Sequence, residues 1–235
     1  MARTFKVSAL LSRARHRTDQ ENSDFVTDAE LKGVLSTGYA ELYSILVESG
    51  MRYFESTEAI TTDGGATTPL PSDFLSTIGV DYCPSSSSRR QLGELMAQER
   101  NLYAGSGGNE ATAYAIVGQN LTFYPTPPSG QSYELLYIPQ PLDLSEADDD
   151  DTIDVVTPDG EAFLDAYLQV EIYSKESDHD SVRGAIAKRE RARERVEWWS
   201  TQRAMYEHRR PVVSEFDPAG ELYGYGGRDF GFWDR

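Results

Sequence analysis

The sequence has few of the residues on which covalent and metal chemistry usually depend. Its 235 residues contain one cysteine, Cys83, and three histidines that lie far apart, His16, His179 and His208. One cysteine excludes an intrachain disulfide and a paired thiol site. The GxSxG, HExxH and P-loop motifs are also absent. These absences argue against an enzyme, and the sequence predicts no cofactor.

Long apolar runs and positive charge are scarce as well. No apolar run approaches the roughly 20 residues of a membrane span, so we expect no membrane partner. The 39 acidic residues exceed the 22 lysines and arginines, which gives a formal net charge of −17. Such a charge repels nucleic acid phosphates, so sequence-specific DNA binding is not expected. A wall along which DNA slides, in contrast, needs no attraction to it.

Two helices are predicted before residue 50. The second begins at a capping box, with Thr27 as N-cap and Glu30 at N3, and runs to about Ser49, where Gly50 ends it. The first is short, and its apolar residues follow the i, i+3, i+4, i+7 spacing of an amphipathic helix: Val7, Leu10, Leu11 and Ala14.

Two further helices are predicted near the C-terminus. Thr157 and Pro158 supply an N-cap and an N1 proline for a helix that runs to about Ser174. The last helix is charged around most of its circumference and runs to about His208. The predicted inner face of this last helix consists of Val182, Ile186, Val196 and Trp199. The turn before it could ligate a metal, although a polar turn explains it better: Glu176, Asp178, His179 and Asp180.

Residues 51–144 alternate short β-branched and aromatic runs with turn residues, which predicts a small, mostly antiparallel β-domain. Its glycine-rich stretch at 105–109 is interpreted as a hairpin loop, and 91–103 as a helical insertion. The predicted strands lie at 52–62, 76–82, 113–117, 121–124 and 133–138.

An acidic linker follows the β-domain. Nine acidic residues and no basic ones lie between Asp143 and Glu161, a pattern typical of a solvated loop. The last helix carries the opposite charge. Its basic side chains either form ion pairs within a solvated helix or bind the acidic linker of a neighbouring subunit in a ring. DNA binding by this face is a third interpretation. The residues of this predicted contact are Arg183, Lys188, Arg189, Arg191, Arg193 and Arg195 on one side, and Asp148, Asp149, Asp150 and Asp151 on the other.

The final segment, 211–235, interleaves glycines with aromatic residues and has no helical or strand period. We expect this arm to dock in a groove of a partner or a neighbouring subunit. Its aromatic residues are Phe216, Tyr223, Tyr225, Phe230, Phe232 and Trp233.

Together these patterns predict an α+β fold, in which a helical bundle carries an inserted antiparallel β-domain and an extended C-terminal arm. The predicted divisions are N-terminal bundle helices at 1–50, the β-domain at 51–144, the acidic linker at 145–157, C-terminal bundle helices at 158–210 and the arm at 211–235.

Three stretches resemble a known family, the head-to-tail adaptor proteins of short-tailed double-stranded DNA bacteriophages, also called connector or head-completion proteins. An N-terminal signature of that family resembles DQENSDFVTDAELKGVLSTGYAELY. The stretch that opens its β region resembles PLPSDFLSTIGVDY, and a proline- and tyrosine-rich stretch resembles LTFYPTPPSGQSYELLYIPQPLDL. The resemblance covers most of residues 1–208, and its motifs are structural instead of catalytic.

The resemblance implies a structural virion protein of the neck, assembled in the host cytoplasm. Family members form a ring, generally of twelve subunits, beneath the portal protein. The ring extends the channel through which genomic DNA passes without specific binding, and it offers a platform to tail (nozzle or tail-tube) proteins. The family's C-terminal arm reaches toward the portal. The acidic linker and the insertion at 91–109 depart from the family pattern. Two alternatives are another neck or tail-tube subunit and, with less support, a hydrolase.

We predict that the purified chain does not bind duplex DNA tightly, because its net charge of −17 repels the phosphate backbone. The measurement is a gel-shift titration repeated at several salt concentrations. A tight affinity that falls steeply with salt would contradict the prediction.

Overall fold

The computed structural model describes residues 3–21, 25–85, 87–96, 99 and 110–208. Four α-helices lie in this part of the chain. They are α1 (Val7–Arg17), α2 (Asp28–Glu48), α3 (Pro158–Glu176) and α4 (His179–His208), and a short 3₁₀ helix spans Arg52–Phe54. All four helix predictions are confirmed, and the four apolar residues predicted for the face of α1 are buried.

The start of α2 shows why its boundary could be predicted locally. The Thr27 side chain accepts a hydrogen bond from the Glu30 N–H, and the Glu30 carboxylate accepts one from the Thr27 N–H, so the capping box is confirmed. Lys175 of α3 also donates to both carboxylate oxygens of Glu30, at 2.9 and 2.8 Å. Lys175 is the main cause, ahead of the Thr27 N–H, that lowers the pKa of Glu30 to about 2. The cap of α2 is therefore also a link to α3.

The β-domain consists of two four-stranded sheets, and the predicted α+β class is confirmed. One sheet has the order β2-β9-β4-β5 and the other the order β3-β8-β7-β6. The strands are β2 (Ser56–Thr61), β3 (Thr67–Pro69), β4 (Phe74–Ser85), β5 (Ser88–Gln91), β6 (Gly93–Glu94), β7 (Ala113–Val117), β8 (Asn120–Tyr124) and β9 (Ser132–Pro139).

The two sheets pack face to face as a sandwich around one hydrophobic cluster. Tyr133 of β9 is fully buried at its centre, with its ring centroid 4.5 Å from that of Phe123 in the other sheet and 5.2 Å from that of Tyr82. Its hydroxyl accepts a hydrogen bond from the Ala111 N–H at 3.1 Å and donates one to Gln131 Oε1 at 2.8 Å. The buried hydroxyl is thus satisfied, as burial requires.

A pair of strands outside the sandwich differs from the prediction. β1 (Arg3–Lys6) pairs antiparallel with β10 (Thr152–Val155), which lies within the segment interpreted as a solvated acidic linker. Ile153 and Val155 are completely buried in the bundle core, while Asp154 between them points the other way. This period-2 alternation is the signature of a strand, and the surrounding aspartates obscured it.

The segment at 91–103 is also different where the structure describes it. The predicted helical insertion is wrong for residues 91–96, which contain the end of β5 and the whole of β6. Leu92 is buried in the sandwich core, and the Gly93 N–H donates to the Thr112 carbonyl at 3.1 Å, so sheet pairing outweighs the weak helical period. The glycine-rich stretch at 105–109 lies outside the described residues.

A second hydrophobic cluster lies in the bundle and involves α1 to α4, β1 and β10. Tyr43 of α2 and Phe54 of the 3₁₀ helix join this bundle to the sandwich. The rings of Tyr43 and Phe54 lie with centroids 4.4 Å apart, and the Tyr43 hydroxyl donates to the Pro139 carbonyl at the end of β9, at 2.6 Å. The sandwich therefore enters and leaves the bundle at one junction.

Gly160 lies in the first turn of α3, and a substitution there tests how tightly β10 packs on the bundle. A Cβ at this position would lie 2.8 Å from Val155 Cγ1 and 3.3 Å from Leu42 Cδ2. Gly160→Ala is predicted to lower the free energy of unfolding by about 1–3 kcal/mol, because overpacking outweighs the better helix propensity of alanine. Urea denaturation measures the change.

Gly184→Ala in α4 is the matched control, since nothing lies within 4 Å of a Cβ there. We expect this control to raise the free energy of unfolding by up to about 1 kcal/mol. Equal stabilisation by both substitutions would show that the contact of α3 with β10 is loose.

Candidate interaction surfaces

The predicted acidic contact residues lie on the turn that precedes β10, beside the starts of α1 and α2. Asp150 is exposed and forms an ion pair with Lys6 at 2.6 Å, and this hydrogen bond lowers the pKa of the Asp150 carboxyl. Asp149 pairs with Lys32 at 3.0 Å. The Asp148 N–H donates to the Asp151 carboxylate at 2.8 Å.

The backbone of the same turn satisfies the start of α1. The carbonyls of Asp151 and Asp149 accept hydrogen bonds from the Val7 and Ser8 N–H groups, at 2.9 and 3.2 Å. These donors have no partner within a helix, and negative charge near them is favourable because of the helix dipole. Within one chain, the acidic residues thus stabilise the N-terminal segment while their outer faces stay exposed.

Three of the predicted basic contact residues hold α4 against the bundle. Arg195 Nε lies 2.7 Å from Asp159 Oδ1 at the start of α3. Arg193 lies 2.9 Å from Glu197 and 3.6 Å from Glu41 of α2. The Arg189 guanidinium lies 5.3 Å from the centre of the Tyr167 ring, where a cation–π contact is favourable.

The other three, Arg183, Lys188 and Arg191, are exposed. Arg183 approaches Asp180 at 3.8 Å, a pair of two highly exposed side chains that contributes little. Lys188 and Arg191 form no ion pair with any residue that the structure describes. Among the described residues, no ion pair joins α4 to residues 148–151 either. The two predicted charge clusters therefore do not meet within one chain.

An apolar stripe that the sequence did not reveal continues from Arg191 along α4. Trp198 is 66% exposed and Met205 is 49% exposed, and both follow Arg191 at intervals of seven residues, which places the three on one face. Ile186, predicted on the inner face, is partly exposed instead, whereas Val196 is completely buried as predicted. An exposed tryptophan beside arginine is typical of protein interfaces.

A cavity of about 370 Å³ lies at the junction between bundle and sandwich. Its aromatic walls are Tyr39 and Tyr43 of α2 and Phe54, and its carboxylates are Asp73 and Asp154. Burial, with Asp154 as the next cause, raises the pKa of Tyr39 to about 12, and burial together with Asp73 raises the pKa of Tyr43 to about 12. The chain leaving β9 completes the wall, through Pro139, Gln140, Pro141 and Leu142.

The described residues contain no group of three or more His, Cys, Asp or Glu side chains that could hold a metal ion. The turn between α3 and α4, considered above as a metal site, is capped instead by the Asp178 carboxylate, which accepts from the Ser181 N–H at 3.2 Å. None of the helices in the described ranges is long and apolar enough to cross a membrane. The six aromatic residues of the C-terminal arm lie outside the described residues.

The sites on this chain are thus charged and aromatic surfaces around two packed cores, which is the pattern of a protein that assembles with others. A comparison with known protein families agrees with that class. The sequence profile described as SU10 adaptor protein matches residues 5–214, and the chain belongs to this family. The family consists of structural adaptor proteins of phage particles, as the sequence resemblance implied. No curated protein sequence matches the chain significantly.

Asp165 of α3 is the most deeply buried acidic side chain in the ion pairs of the described residues. Its Oδ2 atom pairs with Arg17 of α1 and accepts from Gln169 at 2.7 Å, while its Oδ1 atom is buried without a hydrogen-bond partner. Burial raises the pKa of Asp165, although Arg17, Arg13 and Lys188 oppose the rise.

We predict that Asp165 makes the protein less stable as pH rises. The folded state keeps the Asp165 proton to a higher pH than the unfolded chain, whose aspartates titrate near 3.9. The contribution of Asp165 to the free energy of unfolding is therefore fully present below about pH 3.9, and it is lost as pH rises through the folded-state pKa of this carboxyl. In urea denaturation, the wild type should lose stability relative to Asp165→Asn across this range. Asp148→Asn, at an exposed position, is the control, and a wild type that gains stability relative to Asp165→Asn as pH rises would contradict the prediction.

Proposed function

We propose that this chain is the head-to-tail adaptor of a short-tailed phage, which forms a ring beneath the portal protein. The observation that carries the proposal is the family match, because it spans both the bundle and the sandwich and covers 210 residues, from 5 to 214. In this proposal the ring extends the DNA channel and the assembled surface receives tail proteins. Twelve copies is the number that the resemblance implies.

The two exposed charge clusters support contacts between neighbouring copies. Residues 148–151 are acidic and exposed, and Lys188 and Arg191 on α4 are basic and exposed. Because these clusters do not meet within one chain, they are available to pair between chains in a head-to-tail ring. The apolar stripe of Trp198 and Met205 adjoins the basic cluster and adds area that a neighbouring subunit can bury.

The aromatic arm supplies the contact with the portal. Its aromatic residues offer large apolar area, worth roughly 25 cal/mol per Å² on burial. Ordering the backbone costs about 1–2 kcal/mol per residue, so several aromatic residues must bind together. We propose Phe230, Phe232 and Trp233 as the tightest anchors. The chain itself performs no chemistry in this role, and DNA passes through the channel without specific binding.

We predict that the full chain forms rings when mixed with its cognate portal at low salt, as seen by negative-stain microscopy. Deleting residues 221–235 should abolish binding to the portal while leaving the melting temperature nearly unchanged. A chain that stays monomeric with portal present would contradict the adaptor role, and undiminished binding by the deletion variant would contradict the role of the arm. Binding to a tail protein but not to the portal would instead indicate another neck subunit.

Charge reversal tests the ring contact within the same experiment. Asp148→Lys or Lys188→Glu alone should lower the yield of rings, and the double variant should recover part of it, because the opposed signs are restored. Asp63→Lys, an exposed acidic position in the sandwich, is the control. Rings that form equally well with every variant would show that these clusters are not the contact.

A further inference from the structure

We infer that the outer face of the sheet β2-β9-β4-β5 binds helix α4 of a second copy of this chain, through the apolar stripe of Trp198 and Met205. The inference rests on the proposed function, because the two copies are neighbours in the ring. The receiving surface is apolar, and along the chain it continues toward the acidic residues already assigned to the same contact.

Two apolar side chains of β9 point away from the sandwich core. Leu135 and Tyr137 are buried between the two sheets. Because side chains alternate along a strand, Leu136 and Ile138 lie on the opposite, outer face, where they are half-buried. β9 lies between β2 and β4, so these apolar residues occupy the middle of the outer face.

Two β-bulges in β4 add two exposed side chains to this face. The register of β4 with β9 shifts between residues 74 and 76 and again between residues 77 and 79, and each shift leaves one extra residue in β4. The extra residues are Leu75, which is 47% exposed, and Ile78, which is 39% exposed. A bulge takes a side chain out of the regular alternation. Since the inner face is covered by the other sheet, both exposed residues join Leu136 and Ile138 in one outer patch.

In the described part of the chain, the outer patch belongs to neither hydrophobic cluster. The solvent face of an antiparallel sheet is normally polar. Contiguous exposed apolar residues instead mark interaction sites. The outer patch is therefore a surface that a partner covers.

The order of charged and apolar residues identifies α4 of a second copy as that partner. Beyond β9 the chain continues through Leu142, which is exposed, to the acidic turn 148–151. The receiving surface is thus apolar at the sandwich and acidic farther along the bundle. On α4, the exposed basic residues Lys188 and Arg191 precede the apolar stripe. Each part of α4 therefore has a counterpart of opposite charge or of shared apolar character.

The spacing of the two surfaces also agrees. Lys32 of α2 pairs with Asp149 of the acidic turn, and Tyr43 of α2 donates to the carbonyl at the end of β9. These two α2 residues are eleven positions apart, about 16 Å along a helix. Lys188 and Trp198 of α4 are ten positions apart, about 15 Å. A helix laid along this surface thus brings its basic residues to the acidic turn and its apolar stripe to the outer patch.

The direction of α4 fits a ring. Within one copy α4 runs parallel to α2, since Arg193 lies 3.6 Å from Glu41. Further along α4, the Arg203 guanidinium lies 5.6 Å from the centre of the Tyr53 ring, beyond the end of α2. Both surfaces therefore have their charged part at the same end of the bundle. Rotation about an axis parallel to these helices keeps that order, and a contact between two different surfaces is the kind that closes rings.

Cross-linking between two single-cysteine variants tests the contact. Thr201→Cys lies within the apolar stripe of α4, and Thr57→Cys lies opposite Leu136 on the outer face; both threonines are exposed. Both variants also carry Cys83→Ser, so that no other thiol remains. The two are mixed with the cognate portal at low salt and treated with a short bis-maleimide. We expect a cross-link that joins position 201 of one copy to position 57 of another, identified by mass spectrometry.

The matched control replaces Thr57→Cys by Thr67→Cys, at an exposed threonine on an edge strand of the other sheet. We expect roughly ten-fold less cross-linking from this position. Rings that cross-link equally at both positions, or Thr57→Cys that cross-links to itself when used alone, would overturn the inference and leave the adaptor role intact. A portal that induces no rings would overturn both.

Ile78→Asp shows whether the outer patch itself forms the contact. A carboxylate there loses its water against Trp198, so we expect the cross-link between positions 201 and 57 to fall to the level of the Thr67→Cys control. Val117→Asp, at an exposed apolar residue of the other sheet, should leave the cross-link unchanged. Melting temperatures show that both variants are folded. An undiminished cross-link with Ile78→Asp would also overturn the inference.

Discussion

The antiparallel pairing of β1 with β10 is the constraint on which the rest of this structure depends. It joins Arg3–Lys6, which precede the sandwich along the chain, to Thr152–Val155, which follow it. The pairing buries Ile153 and Val155 in the bundle core. Because of this pairing, the chain that leaves the sandwich must return to the start of α1 before α3 begins. The close fit of Gly160 under Val155 then places α3 against α2. The sandwich is consequently an insertion in a closed bundle instead of a separate terminal unit.

Electrostatics within the chain act at the ends of helices. The acidic turn before β10 satisfies the start of α1, Glu30 caps α2 and binds Lys175, and Asp159 at the start of α3 binds Arg195. Each pair places negative charge at a helix N-terminus, where the dipole favours it. Such pairs use only part of the acidic excess. Much of the remaining negative charge lies on the exposed surface of the described residues.

The features that sequence predicted correctly are those encoded within a few residues. Thr27 with Glu30 and Thr157 with Pro158 determine helix starts locally. The β-branched and aromatic runs at 113–117 and 121–124, bounded by turn residues, predicted two strands almost to the residue. β10 was missed because its partner is about 150 residues away and its alternation is short. The cavity was missed because Tyr39 and Tyr43 occupy helix positions where apolar core residues are expected, and only tertiary structure brings Asp73 and Asp154 to them. Tyrosine instead of leucine at these positions was the available signal.

The junction at Tyr43, Phe54 and Pro139 also has a mechanical consequence. The sandwich is attached to the bundle by two chain segments, one before β2 and one after β9, and both pass this point. A force that pulls the sandwich away from the bundle is therefore divided between two parallel backbones. β1 and β10 are hydrogen-bonded across the base of the same connection, so a pull directed along these strands loads several hydrogen bonds together in shear instead of opening them one by one.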